Sequence, residues 1–487
     1  MLNQADINYL KSFEILENSI EEQVKLLKKH ESFLNISNFA CIKNGITKIE
    51  TPQFYVDIFN SYSKKYKLAK FVPASGAATR MFKRYITYKL EPNLKNLNDG
   101  GFYSVKNGLE NIKNFAFYKK LKPLCAEPEN LEAIVEKILY SGLNYANLPK
   151  GLIDFHNYPD SPRTAFEEHL HEANLLVQDQ ENFNIHLTVS PEFLENFQSK
   201  LKEINQKTGY KFNLSFSEQE QSTNTISTYL NGEIARDDNG NIMLRPGGHG
   251  SLLTNLNSLD SDIIFIKNID NLTHGDYLDE TILWKKVLAG VLIEIVEKIQ
   301  EIYSNLKNNP TTENLNKAKD FLEKNTNAIF DNSEDLKTEI LNYINRPIRV
   351  CGMVKNTGEP GGGPFWVKDK NGKTSLQIVE KAQINLDIPE QAQYFNNSTH
   401  FNPVDLVCYV KNPEGQKFDL KNFVDKNSSF VSEKTHQGKT IKVLEHPGLW
   451  NGSMADWISV FVEVPLITFN PVKELNDLLR KEHQPKE

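Results

Sequence analysis

Cysteine is scarce in this chain: Cys41, Cys125, Cys351 and Cys408 lie far apart in 487 residues and form no C-x-x-C pair. That spacing excludes a zinc ribbon and a disulfide framework, and a reducing cytoplasm is the simplest compartment for it. Long apolar runs are missing too. No window approaches the roughly 18 uninterrupted apolar residues of a transmembrane helix. The N-terminus, "MLNQADINYLKSFEILENSI", pairs early acids with a helical apolar period, so it does not read as a secretory signal. Nor is positive charge in excess. A net charge of -7 and no basic stripe of useful length exclude general attraction to a nucleic-acid backbone. Internal repeats and low-complexity linkers are absent as well, which predicts domains packed closely rather than tethered.

What is present is ordinary for a globular protein, 39% apolar and 24% charged residues. The length calls for two or three packed units. A helical arm over residues 1–66 is expected to pack on the segment next in the chain. Residues 67–345 read as an α/β domain. Within it the strand "KLAKFVP" precedes a turn and a helix from about Ala78, and 91–147 reads as an insertion. Beyond the insertion, "RTAFEEHLHEANLL", "FNIHLTVS", "PEFLENFQSKLKEI", "YKFNLSF" and "DIIFIKNID" alternate helix with strand. That alternation predicts βαβ units and a largely parallel sheet covered on both faces. Helical periodicity returns from Asp279 to about Asn345. Residues 346–487 are strand-like and turn-rich, a smaller C-terminal part expected to close on the first.

The turn "ASGAATRM" follows the first α/β strand directly. In such sheets ligands sit beyond the carboxyl ends of strands, where unpaired backbone N–H groups favour anions. Gly76, Ala77 and Ala78 leave that backbone approachable, and Arg80 and Lys83, three apart, would be neighbours on a helix surface. The turn reads either as a phosphate cradle or as an ordinary βα turn with solvated cations. Neither a Walker loop nor a G-x-G-x-x-G fingerprint occurs.

Four further stretches bear on the choice. Lys150 follows a proline in "NLPKGLIDFH", where it is a crevice residue or a surface lysine. The glycines of "RPGGHGSLL" would let a flat base or ribose lie on the backbone beside His249. Asp270, just after an apolar strand, either caps the next helix or binds a divalent cation. A single carboxylate is enough for Mg2+ facing phosphates. Lys473 follows Pro471 in "ITFNPVKEL" and would fold back over the site. In "EEHLHEA", His169 and His171 are two apart on a helix and cannot share one metal, so both read as surface or core-edge residues. Ser75 lacks the G-x-S-x-G nucleophile elbow.

Taken in order, these stretches resemble the nucleotide-sugar pyrophosphorylases with a GT-A type nucleotidyltransferase fold, closest to the UDP-sugar pyrophosphorylase group. "ASGAATRM" is similar to the group's G-G-x-G-T-R-M, with Thr79, Arg80 and Met81 in place. "PKGLI" is similar to P-K-P-L-L, "PGGHG" to P-x-G-H-G, "NIDNL" to N-x-D-N-L and "FNPVK" to F-x-P-V-K. "RVCGMVKN" and "LQIVEKAQ" resemble the sugar-side hairpin with its V-E-K. The departures are Ala77 and Ala78 in the glycine turn, the N-terminal arm and the 91–147 block, and the whole resembles a separate bacterial branch.

The resemblance implies a Rossmann-like GT-A sheet and a reaction: nucleoside triphosphate, UTP favoured, plus sugar 1-phosphate gives nucleotide sugar and pyrophosphate. It assigns Arg80, Lys83, Lys150 and Lys473 to the reacting phosphates. Ser75, Gly76, Ala77, Ala78, Thr79, Gln219, Gln221, Gly248, His249 and Gly250 go to the nucleotide. The sugar receives Gly352, Glu380, Lys381 and Asn402. Mg2+ falls to Asp270, with Asp405 from "STHFNPVDLV" as the second ligand. Two rivals stand beside it. One is a catalytically silent nucleotide-binding relative. The other is a GT-A glycosyltransferase, for which a D-x-D motif is expected where "NIDNL" has one aspartate.

Overall fold

The computed structural model describes residues 2–28, 33–125, 130–177, 183–210, 213–330, 335–358 and 361–486. The fold is mixed α/β, and the principal strands run mainly parallel, as the helix–strand alternation predicts. The chain divides into two compact units that are discontinuous in sequence. One comprises Met1–Thr51, Gln219–Ile264 and Leu288–Glu463; the other Pro52–Glu218, Phe265–Val287 and Val464–Glu487. Residues 1–66 are therefore split between units, and so are residues 346–487.

In the second unit the strands Leu68–Pro73, Asn184–Thr188 and Asn213–Ser217 run parallel, in register from Ala69 opposite Asn184 and Asn184 opposite Asn213. Leu68–Pro73 is buried on both faces up to its last residue, which is why "KLAKFVP" reads as a nearly continuous apolar run. The Ala165–Leu176 helix starts from a Thr164 cap whose side chain accepts the Glu167 N–H. Ring pairs consolidate the core: Phe183 and Phe59 against Phe265, and Phe166 against Phe197. The 91–147 block supplies short helices at Leu94–Asn98, Val105–Glu110, Tyr118–Leu121 and Leu131–Glu136.

In the first unit Cys41–Ile42, Gly45–Thr47, Ile458–Glu463 and Ile348–Lys355 pair parallel, and Asp405–Tyr409 joins Ile348–Lys355 antiparallel. An antiparallel sheet joins Asn35–Phe39, Gly362–Lys368 and Thr374–Glu380. The N-terminal arm is thus only partly helical. Its helices Gln4–Lys11 and Glu17–Lys28 bury Leu10, Ile20 and Leu27 against Ile226, Ile242 and Leu444. They pack on strands far along the chain rather than on the segment next to them in sequence. All four cysteines are free, and among the described residues no helix is long and apolar enough to cross a membrane.

Candidate functional site

Four of the singled-out stretches converge within the second unit. Ala74 N–H donates to the Thr188 carbonyl at 2.9 Å, and Ser190 Oγ donates to the Ser75 carbonyl at 3.0 Å, so the turn leaves the sheet in a fixed direction. The glycine turn is then sewn to the "NLPKGL" stretch: Ala77 bridges Pro149, Ala78 N–H donates to the Leu148 carbonyl at 3.3 Å, and Lys150 N–H donates to the Gly76 carbonyl at 3.4 Å. This backbone stitching aims Lys150 inward. Its ammonium donates to Asp270 Oδ2 at 2.8 Å and to the Val472 carbonyl at 2.9 Å. Val472 N–H returns to the Asp270 carbonyl at 3.0 Å, and Asn470 N–H donates to Asn271 Oδ1 at 2.9 Å. Asn271 therefore serves the C-terminal segment rather than a helix cap, and Asp270 keeps its carboxylate for Lys150.

Gly76 and Ala77 are exposed, and a Cβ on Gly76 would meet nothing within 4 Å. Ala77 is extended (φ -64°, ψ 147°) and Ala78 opens a short 3-10 turn, so neither alanine occupies a conformation that demands glycine. The expected helix from Ala78 is interrupted: the turn Ala78–Arg80 gives way to the α-helix Lys83–Leu90, with Phe82 non-helical between them. Arg80 and Lys83 stand on either side of that break instead of on one helix face. Both are exposed, as is Thr79. Lys473 N–H donates to Asp477 Oδ2 at 2.7 Å, and its ammonium stands 6.0 Å from the centre of the Phe469 ring.

No group of three or more His, Cys, Asp or Glu side chains gathers to hold a metal among the described residues. Asp270 is one carboxylate with one oxygen on Lys150. That donor set fits a hard cation carried chiefly by phosphates and water, as Mg2+ is, and does not fit zinc.

The first unit assembles a second group. Gly248 has φ 76°, and a Cβ there would stand 2.7 Å from Glu445 Oε2; one on Gly250 would overlap the Pro447 carbonyl. His249 stacks on Trp450 with centroids 4.2 Å apart and an interplanar angle of 18°. Leu449 N–H donates to His249 Nδ1 at 3.0 Å, so in the neutral ring the proton sits on Nε2, 3.8 Å from Glu380 Oε1. Gln221 is exposed at the start of a 3-10 turn, and Gln219 Nε2 reaches Thr223 Oγ1 at 3.3 Å. His446 ties that turn to the glycine loop through the Thr223 carbonyl (2.8 Å) and its own N–H to the Gly247 carbonyl (2.9 Å).

Not every expected sugar residue joins this group. Gly352 is buried within its strand opposite Val462, and Lys381 turns its ammonium toward the Phe395 ring at 5.9 Å. Asn402, expected at the sugar, and Asp405, expected as the second Mg2+ ligand, are buried at 1% and 4% exposure, on either side of Pro403 and Val404, and the φ of 58° at Val404 is unusual for a β-branched residue.

The motifs gave no sign of several buried groups. Glu172 holds Lys70 and Lys267 at 2.9 and 2.6 Å, with Lys285 at 3.6 Å. Burial pushes Lys70 down to about 8 even beside this carboxylate. Burial would raise Glu172, but Lys267, Lys70 and Lys285 outweigh it and hold the carboxyl well below its usual value. His156 is bracketed by Glu168 and His483, each at 2.9 Å. His169 is wholly buried, correcting its reading as a surface or core-edge residue, whereas His171 is half-buried and bonds Tyr210. The one available sequence signal was a lysine inside each of two apolar strands, "KLAKFVP" and "DIIFIK".

A family model described as "Domain of unknown function (DUF4301)" matches residues 3–484. No match was found among curated proteins. Among solved structures, the chain is similar to a variant of UDP-glucose pyrophosphorylase from Leishmania major in complex with UDP-glucose: 13% identity, 98% of this chain and 78% of that one, TM-score 0.47. It is similar also to the uridine diphosphate N-acetylglucosamine pyrophosphorylase from Trypanosoma brucei in complex with an inhibitor: 14% identity, 98% and 79%, TM-score 0.48.

Proposed function

The chain belongs to the DUF4301 family, whose description names no activity, and from the chemistry of the site we propose a nucleotidyltransferase that makes a nucleotide sugar and pyrophosphate from a nucleoside triphosphate and a sugar 1-phosphate. The observation that carries this reading is Lys150, whose ammonium bonds Asp270 and the Val472 carbonyl while its backbone bonds Gly76. Four stretches spread over some four hundred residues meet at that one residue, two of them on its ammonium and one on its backbone N–H.

The chemistry needs positioning and charge neutralisation rather than a general base, since the attacking sugar phosphate is already ionised near neutral pH. A phosphate oxygen attacks the α-phosphorus in line, a new P–O bond forms, and the bond to the β-phosphate oxygen breaks as pyrophosphate leaves. Exposed Gly76 and Ala77 offer their backbone to the leaving phosphates, with Arg80 and Lys83 supplying charge. Lys150 stabilises the charge developing at the α-phosphorus, and Lys473 serves the phosphates from the C-terminal segment. Asp270 would hold Mg2+, which when bound supplies charge neutralisation on the phosphates. Taken by itself, the first unit's group of His249 and Glu380, with the Gln219–Gln221 turn, is proposed for recognition of a base and a sugar, UTP being the favoured triphosphate.

The deciding experiment is pyrophosphate release with Mg2+, UTP and a pool of sugar 1-phosphates, comparing the native protein with Asp270→Asn. Release that the substitution abolishes supports the reading. Absence of release with all four nucleoside triphosphates would replace it with a binding protein.

A further inference from the structure

Among the buried polar side chains of the Ala165–Leu176 helix, His169 and Glu172 stand one turn apart. Glu172, 1% exposed, uses separate oxygens for lysines on two strands: Oε1 accepts from Lys70 at 2.9 Å and Oε2 from Lys267 at 2.6 Å. The Lys70 ammonium also donates to the His169 carbonyl at 2.9 Å. His169 Nε2 in turn lies 3.2 Å from the Ile269 carbonyl, the carbonyl of the peptide bond that leads into Asp270. Because a carbonyl only accepts, Nε2 carries the proton. Burial, with Lys70 adding to it, pushes the His169 pKa well down and keeps the ring neutral. Its other nitrogen, Nδ1, is buried without a hydrogen-bond partner among the described residues.

A buried charge cluster is a poor source of stability compared with apolar side chains of the same volume, and its best-attested use is to fix one arrangement among several. Here the elements fixed are the two strands that end in the glycine turn and in Asp270. We infer that Glu172 and His169 are positioning residues for Asp270, the carboxylate locking its strand through Lys267 and the imidazole N–H holding the peptide on which Asp270 stands. The inference rests on the proposed nucleotidyltransferase reading for its catalytic consequence, though not for its geometry. A side chain that must meet both Lys150 and a cation on a phosphate tolerates little drift, so a second layer of this kind is what the site requires.

His169→Phe is the informative variant, because it keeps the ring's bulk and the carbonyl that Lys70 uses while removing the single N–H to Ile269. Glu172→Gln leaves three buried lysines without their carboxylate and is expected to melt early, so it serves only as a folding control. Hydrogen exchange on intact His169→Phe should quicken about three- to tenfold over residues 268–272, the equivalent of one lost hydrogen bond, and stay unchanged over 184–188 and 213–217. Calorimetry with UTP should show a matching loss of affinity with Mg2+ present and less than about a twofold change in EDTA, where Asp270 has no cation to hold. Unchanged exchange at 268–272, or a uniform rise across the sheet, overturns the positioning role. Equal weakening of UTP with and without Mg2+ also overturns it. If the native chain binds no nucleotide, the reading of function falls, and the exchange data alone decide the positioning.

Discussion

Lys150 and Asp270 are 120 residues apart in sequence, yet their side chains meet at 2.8 Å while remaining 11% and 23% exposed. A pair that close, and open enough to be reached, is arranged to share a ligand more than to hold the fold together.

Replacing either partner should therefore hurt catalysis more than folding. Lys150→Met and Asp270→Asn are each expected to lower pyrophosphate release about 100- to 1,000-fold, with the double variant no worse than the more damaged single one. Urea melts should move by about 1–3 kcal/mol, the cost of leaving a largely buried polar partner unpaired. A double variant whose loss is the product of the two single losses would refute their acting as one unit.

The glycines separate backbone need from ligand need. Gly76→Ala meets empty space, so its melting curve should match that of the native protein, while the added methyl weakens UTP binding. Gly250→Ala would drive a Cβ into the Pro447 carbonyl and should cost about 1–3 kcal/mol of stability whatever the ligand. Equal melting of the two variants would contradict this distinction.

Acid should unfold the protein early. Burial holds His156, His169 and His483 well below 6.5 in the folded state. Below pH 6.5 the unfolded chain takes up protons that the folded one refuses, so stability falls as pH drops, by up to about 1.4 kcal/mol per pH unit for each ring. Glu172, kept low by its lysines despite burial, adds to the loss once pH passes below 4.5. Glu168 is raised by burial and offsets part of it. The urea midpoint should thus be clearly lower at pH 5 than at pH 7, and His156→Gln should flatten the slope by about one proton. A midpoint independent of pH across that range would be incompatible with three neutral buried rings.

Trp450→Leu removes the ring on which His249 lies. Stacked aromatic pairs are worth about 0.5–1.5 kcal/mol, so UTP or sugar phosphate affinity should fall about two- to tenfold with the fold retained. If His249→Ala weakens binding and Trp450→Leu does not, the stack has no part in placing the imidazole.

Much of the fold was legible because it is written locally. The strands at Leu68–Pro73 and Ile263–Lys267 are short apolar runs bounded by turn residues, and the Ala165–Leu176 helix carries its own threonine cap. The interruption after Arg80 was not legible. No glycine or proline marks it, and Met81 and Phe82 continue a helical-looking pattern while being buried. His169 was misplaced for a related reason: on a helix buried along most of its length, a polar residue does not signal the solvent face.

The chemistry-bearing stretches and their order are properties of the sequence alone, since proline, glycine and lone charges at strand ends keep their meaning wherever the chain later folds. Which of them meet was decided by tertiary structure. The Ala77–Pro149 bridge, the Val472–Asp270 bond and the Glu172 carboxylate shared by Lys70 and Lys267 join residues far apart along the chain. No local propensity encodes such contacts, because each forms only after the strands and helices on either side have packed and excluded the water that would otherwise satisfy the same groups.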